Sequence, residues 1–599
     1  AMSQKSSYSV EALPLHVPHG LLTKLESEPG PCKLLGLNSP VALAAIVSSG
    51  KFASFSGCTF VFSNTDQESA FAKALKFYDP QSYVTKLPHH DVSPYANLYS
   101  SHSVIAKRLH WLYRAQRAKP GEVFTATVQS LAQKTIPEDV FTDQTFGLKV
   151  GDSWSEDVLQ RLSQNGYLPS SLVESWGQYA VRGSIVDIFS TAYKDPVRLE
   201  LFGDEIESIR IFDSVSQRSL KQVQEIEVPP AAEALYSDES LPEFVSSLSK
   251  DWDQRGVTER DRKEILLSLN RQTYFHGLEF LLSRVYEQLS QPLEYFLGAK
   301  RLFVLEKSEC LRQLDEILND YKTQFAEGSE NPVHPKPEDV LCSFDQLELE
   351  ESENTVLLDK IEIVEQTGEE IPSFSIPVSG LKDFVSSMAP YRAQTEVLSQ
   401  KLSERFLQWK HTGHTLFLSC ASHSQAERLA NFLTRIEFEP EIADEENFHW
   451  SQWTEEQKQN PKKVILLTRS LSESFRLQED QIIFLRDEDI FGNRRGTSKK
   501  TSTEEFQEAA GLLSFSELKD GDFVVHKQHG LGVFKGLKVM SIQGVDSEFI
   551  QIDYKDKDRL YVPVYKVGQI QKFSGPSNAG AVAKLGGGQW EKTKTKVKS

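Results

Sequence analysis

Nucleotide hydrolysis on an α/β fold needs a loop of the form G-x-x-x-x-G-K-[ST]. Its backbone amides cradle phosphates while the lysine and hydroxyl serve phosphate and Mg2+. After the first apolar strand, CKLLGL at 32–37, this chain reads GLNSPVAL at 36–43, with no second glycine, no lysine and no suitably placed hydroxyl. The nearest Gly-Lys pair, Gly50–Lys51, is followed by Phe52 and lacks the upstream glycine. The loop reads as scaffold that has lost its chemistry. IIFLRDED at 482–489 is an apolar strand ending in acids, like the Mg2+-holding box of a helicase. Without a phosphate loop the metal has no triphosphate to bridge, so the acids read as a strand-to-helix turn favouring a helix N-terminus. GLGVFKG at 530–536 misses the dinucleotide spacing and is expected to be a β-turn. The histidine pairs His89–His90, His411/His414 and His526/His529 have no clustered Cys or acidic partners at ligand spacing, so no metal is expected. No Ser/His/Asp or Cys/His arrangement can be argued. Neither a catalytic residue nor a cofactor is assigned to this chain.

Recognition chemistry is easier to find. In PVRLELFGDEIESIRIFD at 196–213, Val197, Leu199 and Leu201 alternate with Arg198, Glu200 and Phe202. Period-two geometry puts Arg198 and Phe202 on one face, opposite the apolar set. In the preceding QYAVRGSIVDIF, Arg182 is expected on the face opposite Val181 and Ile185. An outward aromatic flanked by arginines has the composition of an interface hot spot. A cross-strand cation–π contact on an ordinary surface is the equal alternative. Near the C-terminus, DFVVH, GVFKGLKVM, EFIQIDY and RLYVPV, with tight turns at HGLG and KDKD, predict a small antiparallel barrel. Ser514 to Gly575 carries nine basic and eight acidic residues, so capturing DNA by charge is not its obvious task. In EFIQIDY, Phe549, Gln551 and Asp553 share one face while Ile550, Ile552 and Tyr554 share the other. A barrel this small buries one face, and alternation does not say which.

The elements that must position these residues divide along 599 residues of 67.7 kDa, about four domains' worth. Apolar residues make up 39% and mean hydropathy is −0.39, which excludes a membrane protein and a wholly disordered chain. A formal charge of −19 excludes a surface built throughout for nucleic acid. Five scattered cysteines without a CxxC pair fit a reducing cytosol. Ala1 before Met2 reads as an expression scar. Residues 10–150 and 229–330 read as two α/β lobes, with a β-rich domain at 151–228 between them. Glu338 to Glu370 holds 12 carboxylates and one lysine, so 331–370 is expected to be an acidic linker or edge. A further α/β domain is expected at 371–492, a linker at 493–513, the barrel at 514–576, and the start of a helix, ending at a cut, at 577–599.

GYLPSSLVESWGQYAVRGSIVDIF with PVRLELFGDEIESIRIFDSVSQRSL resembles the second domain of the excision-repair protein UvrB and of bacterial transcription-repair coupling factors (the Mfd family). LPHHDVSPYANLYSSHSVIAKRL at 87–109 is similar to the neighbouring segment of that module. The segment 518–575 resembles the RNA-polymerase-interacting domain that the coupling factors share with CarD-type regulators and that UvrB lacks. KLGGGQWEKTKTKVKS resembles the start of the linker helix leading to the coupling factor's motor. Specific resemblance covers most of 10–228 and 510–599; 229–490 matches mainly by order and length. UvrB's intact phosphate loop and its aromatic hairpin clamping damaged DNA are both missing here.

The resemblance implies the N-terminal, adaptor half of a coupling factor. Its fold would be multidomain α/β: a UvrB-like module of two lobes around an inserted β-rich domain, a further α/β domain, and a Tudor/SH3-like barrel. It implies that Arg182, Arg198 and Phe202 contact UvrA, and that the barrel binds the RNA polymerase β subunit by strand-to-strand contact at Glu548–Tyr554. Ile550 and Ile552 are the expected contacts there, with Phe549 as the other possibility. ATP, Mg2+ and most DNA contact would belong to superfamily 2 translocase domains following residue 599. The expected protein is a cytoplasmic monomer, not itself an enzyme. A UvrB-type damage-verification ATPase and a CarD-type transcription regulator are the rival readings.

Overall fold

A computed structural model describes Glu11–Ala12 and residues 31–572, apart from 50–56, 361–370, 444–456, 493–517 and several stretches of up to four residues. The expected linker 493–513 and the helix start at 577–599 lie outside the described residues, as does the end of the acidic segment.

Eight parallel strands form the largest sheet. Their order is Glu11–Ala12, Ser373–Ser375, Cys32–Leu35, Thr355–Asp359, Arg301–Leu305, Cys58–Phe62, Val123–Thr127, Val84–Leu87. Short, mostly apolar and fully buried runs such as CTFVF and RLFVL suit a parallel sheet covered on both faces. The lobes at 10–150 and 229–330 share this sheet, since Arg301–Leu305 pairs directly with Cys58–Phe62. The acidic segment 331–370 is not simply a linker, because its TVLLD strand, Thr355–Asp359, lies inside the sheet with Val356 to Leu358 buried. Three consecutive apolar residues, Val356 to Leu358, outweigh the carboxylates around them. The rest of 229–330 is mostly helical, with its own core around Phe244, Leu248, Trp252 and Leu269.

The following region is a six-stranded mixed sheet carrying helices Thr395–His411 and His423–Arg435 on one face. Its other face, with Phe417, Ile465, Phe475 and Phe484, packs on helices Pro40–Ser49 and Thr65–Tyr78 of the first sheet. These two helices lie between two sheets, which explains why PVALAAIVSS has no polar side. The Tyr78 ring meets Phe484 edge-on at 5.3 Å. The structure thus has one continuous core where the sequence suggests two domains.

The β-rich domain is a sheet in the order Ser219–Val223, Glu205–Phe212, Val197–Phe202, Ile185–Ile188, Gln178–Arg182, Leu168–Pro169. All its pairings are antiparallel except the last. At its base, Phe146–Lys149 and Glu225–Val228 form an antiparallel ribbon that brings the chain in and out side by side. Near the C-terminus a five-stranded antiparallel sheet curls around Val524, Phe534, Ile550, Ile552 and Val562. Among the described residues no helix is long and apolar enough to cross a membrane.

Candidate functional site

The degenerate loop begins after Leu35, where Gly36 has φ +91° and Ser39 Oγ accepts from the Ala42 amide at the start of helix Pro40–Ser49. A Cβ on Gly36 would meet the Ile376 carbonyl at 2.7 Å, so only glycine fits there. Leu37 is fully buried beside it. In IIFLRDED the strand Ile482–Arg486 runs into helix Asp487–Phe491, as expected. Arg486 holds Asp489 with two hydrogen bonds of 2.8 and 3.0 Å, committing that acid to a structural pair. Among the described residues no group of three or more His, Cys, Asp or Glu could hold a metal ion. GLGVFKG is not a turn. It opens the long strand Gly530–Ile542, whose pairing register shifts between Phe534 and Leu537. Gly532 is required there because a Cβ would lie 2.4 Å from Ile552 Cγ2.

Arg182, Arg198 and Phe202 do share a face of the β-rich domain. Two tight hairpins, turning at Gly183–Ser184 and Gly203–Asp204, place Arg182 and Phe202 at one end of the sheet. The Leu201 amide donates to the Ser184 carbonyl and ties the hairpins together. Phe202 is 78% exposed. Ile185 is cross-strand neighbour to Arg182 and therefore shares its face, contrary to the expected alternation. The two-residue turn inverts the count across the hairpin.

The residue that organises the face is Asp187, two positions beyond Ile185 and fully buried. It lies beside Arg198 in the ladder. Its Oδ1 accepts from Arg198 Nε at 2.7 Å and its Oδ2 from Arg198 Nη2 at 2.9 Å, and Arg182 donates to Oδ2 as well. This planar two-bond pairing fixes the guanidinium as well as neutralising it. Hydrogen bonding to Asp187 raises the Arg198 pKa further above its ordinary value. Arg198 also donates to Gln217 Oε1 at 2.9 Å and lies over the Phe212 ring at 4.3 Å. The cation–π contact is therefore present within the same cluster as the outward face. Arg198 keeps 20% side-chain exposure, whereas Arg182 keeps 44%. The sequence reading missed Asp187 and Gln217. The hairpin register could have revealed the first; the second comes from a loop.

The strand expected to meet polymerase is placed differently. Val545–Asp553 lies inside the curled sheet, between Gly530–Ile542 and Arg559–Pro563. Ile550 and Ile552 are fully buried in its core, and Phe549 on the other face is buried too. Neither isoleucine is an exposed contact, because both belong to the core of this small sheet, with Val524, Phe534 and Val562. Between Phe549 and Asp553 the backbone is paired on both sides, leaving no edge for an added strand. The free edge lies elsewhere. The first strand of the sheet, Phe523–His526, pairs with Gly530–Ile542 only as far as Val533. Among the described residues, Leu537 to Ile542 has a strand partner on one side only, and Leu537 and Val539 are exposed there.

Comparison with known proteins agrees with this division. Residues 146–233 match the UvrB interaction domain, and residues 518–574 match the CarD-like/TRCF RID domain. The first match begins at the ribbon strand Phe146–Lys149. The chain is similar to the transcription-repair-coupling factor of Myxococcus xanthus, 29% identical over 86% of this chain and 43% of that protein. It is 27% identical to the Bacillus subtilis protein of the same description over 84% of this chain and 42% of that protein. For Haemophilus influenzae the identity is 25%, over 96% of this chain and 48% of the relative. The chain thus spans under half the length of the curated relatives it matches. Both domain matches thus fall in one polypeptide, and most of it is similar to part of proteins described as transcription-repair-coupling factors.

Proposed function

We propose that this chain is the adaptor portion of a coupling factor, joining RNA polymerase stalled at a lesion to UvrA. The observation that carries the reading is the Arg182–Asp187–Arg198 cluster beside exposed Phe202, a rigid protein-binding face within the domain that matches the UvrB interaction domain. Arg182, Arg198 and Phe202 remain the assigned UvrA contacts. The match to the CarD-like/TRCF RID domain supports binding to the polymerase β subunit. Burial of Ile550 and Ile552 moves that assignment to the hairpin arm, with Leu537 and Val539 flanking the free edge. Strand addition needs unpaired backbone and exposed alternate side chains, and the arm has both.

ATP and Mg2+ would act in translocase domains outside this chain, and DNA would be engaged mainly there. The chain itself would act as a cytoplasmic monomer without ATPase activity, a view supported by the loop at 36–43, which lacks the second glycine, the lysine and the hydroxyl of a phosphate loop. The same loop disfavours a UvrB-type ATPase, and the extent of the matches beyond 518–574 disfavours a CarD-type regulator. The test is a pull-down of the purified chain with UvrA and, separately, with the polymerase β subunit. Capture of both is expected, and alanine at Arg182, Arg198 and Phe202 together should abolish only the first. Unchanged UvrA capture by the folded triple variant would refute the face. ATP turnover that is lost on mutating Asp487 would refute the absence of ATPase activity.

A further inference from the structure

Val215 is an apolar side chain with 91% exposure, and the loop that holds it out is tightly built. The Asp213 amide donates to the Arg218 carbonyl at 2.9 Å, and the Gln217 amide to the Asp213 carbonyl at 2.8 Å. Asp213 Oδ1 accepts from the Ser216 amide, and Gln217 Nε2 donates to the Ser214 carbonyl. Gln217 occupies the left-handed region at φ +59°, an uncommon state for a non-glycine residue. From there its Oε1 accepts from Arg198. The loop is thereby fastened to the guanidinium at the centre of the arginine cluster. Phe202 lies at one end of strand Val197–Phe202, and Val215 follows the Glu205–Phe212 strand at the other, where the Phe212 amide bonds the Pro196 carbonyl.

We propose that the partner-binding face continues beyond the arginines to this loop, with Val215 as a second apolar anchor and Gln217 as the latch that fixes it. This rests on the UvrA reading above. The strand between the anchors is about 17 Å long, at roughly 3.3 Å per residue. A face of that length fits one side of a standard-size protein interface. Its occupant is a protein surface with an acidic patch facing Arg182 beside a recess for Phe202, and a second apolar recess for Val215 farther along. The domain carries 13 carboxylates against seven basic residues between 151 and 228, so a polyanion such as nucleic acid gains no general attraction. The local cationic centre instead suits a compact acidic patch. An apolar knob held rigid before binding loses little further freedom on docking, and this favours a slow dissociation rate.

The experiment is surface plasmon resonance of the full chain on immobilised UvrA, with Phe202→Ala, Val215→Asp and Gln217→Gly variants. Glycine suits the left-handed position, so the last change removes the latch and keeps the turn. Circular dichroism checks folding, which a substitution at so exposed a residue as Val215 leaves intact. Val215→Asp should weaken binding by about tenfold or more, as loss of an interface anchor does. Gln217→Gly should speed dissociation about threefold with little change in association. If Phe202→Ala weakens binding while Val215→Asp and Gln217→Gly leave it unchanged, the extension is wrong and the arginine face stands. If Phe202→Ala also leaves it unchanged, the UvrA reading fails and the extension with it.

Discussion

Asp187 carries two arginines on one buried carboxylate, so removing it affects more than its own contacts. Asp187→Ala would leave two guanidiniums facing each other with no counter-charge. Breaking a buried pair typically costs about 3–5 kcal/mol, and the partial exposure of both arginines brings the expected loss to about 2 kcal/mol. A lowered urea midpoint for the β-rich domain, read by hydrogen exchange in strands Ile185–Ile188 and Val197–Phe202, checks this. Lys410 presents the opposite case, a buried ammonium whose bonds go to neutral acceptors, Gln457 Oε1 at 2.8 Å and the Lys463 carbonyl at 2.7 Å. Burial pushes its pKa down to about 7, from 10.5. Between these values the unfolded chain binds the proton and the native one does not, so stability rises with pH through that window. The penalty is present in full below pH 7. Lys410→Met should flatten the rise in urea midpoint between pH 7 and 10 relative to the unmodified chain. At this scale the sequence was legible where side-chain type and strand period coincide, as at Arg198 and Phe202. It was silent on Asp187, because an acid inside an apolar strand reads as surface until the hairpin register places it between two arginines.

The curled C-terminal sheet shows what strand alternation leaves open. EFIQIDY displays two faces that each carry a large apolar or aromatic group, and period two separates them without placing the neighbours that will cover each. The neighbours decide: Ile552 packs over Gly532, and Ile550 and Ile552 join Phe534 and Val562 in the core. A charge at Ile550 should therefore unfold the sheet, losing its circular dichroism signal along with every binding activity. Leu537→Arg with Val539→Arg should keep the spectrum and lose capture of the polymerase β subunit. Retained capture by that folded double variant would place the contact on another edge, Arg559–Pro563 or Ile570–Lys572. The turn at KDKD fell where its acid–lysine cluster put it, because such a turn is specified by local backbone preference. The turn expected at HGLG lies at Gln528–His529 instead, and Gly530 to Gly532 are already in the strand, because Gly532 serves close packing, which resembles a turn signal in sequence.

For the molecule as a whole, helices Pro40–Ser49 and Thr65–Tyr78 are covered by two sheets. Such sharing is invisible to a reading that cuts the chain at charge runs, since the acidic stretch at 338–370 separates the two partners in sequence while its strand Thr355–Asp359 belongs to the first sheet. The physical signal was present in PVALAAIVSS, a helix with no polar side, which needs cover all round. Residues 371–492 produced alone should accordingly expose Phe417, Ile465, Phe475 and Phe484, and should aggregate or bind a hydrophobic dye. A soluble, dye-silent fragment with a cooperative melt would show that this region closes its own core.

The ribbon of Phe146–Lys149 with Glu225–Val228 has a bearing on ancestry. Because both chain ends of the β-rich domain leave through one zipped pair, the intervening residues can be lifted out of one gene and set into another without moving the host. The geometry is that of a cassette with a fixed socket. A recipient would need the two adjacent antiparallel strands and a seat like that of His110, on which Trp176 stacks, for a binding face to pass from one protein to another in a single recombination.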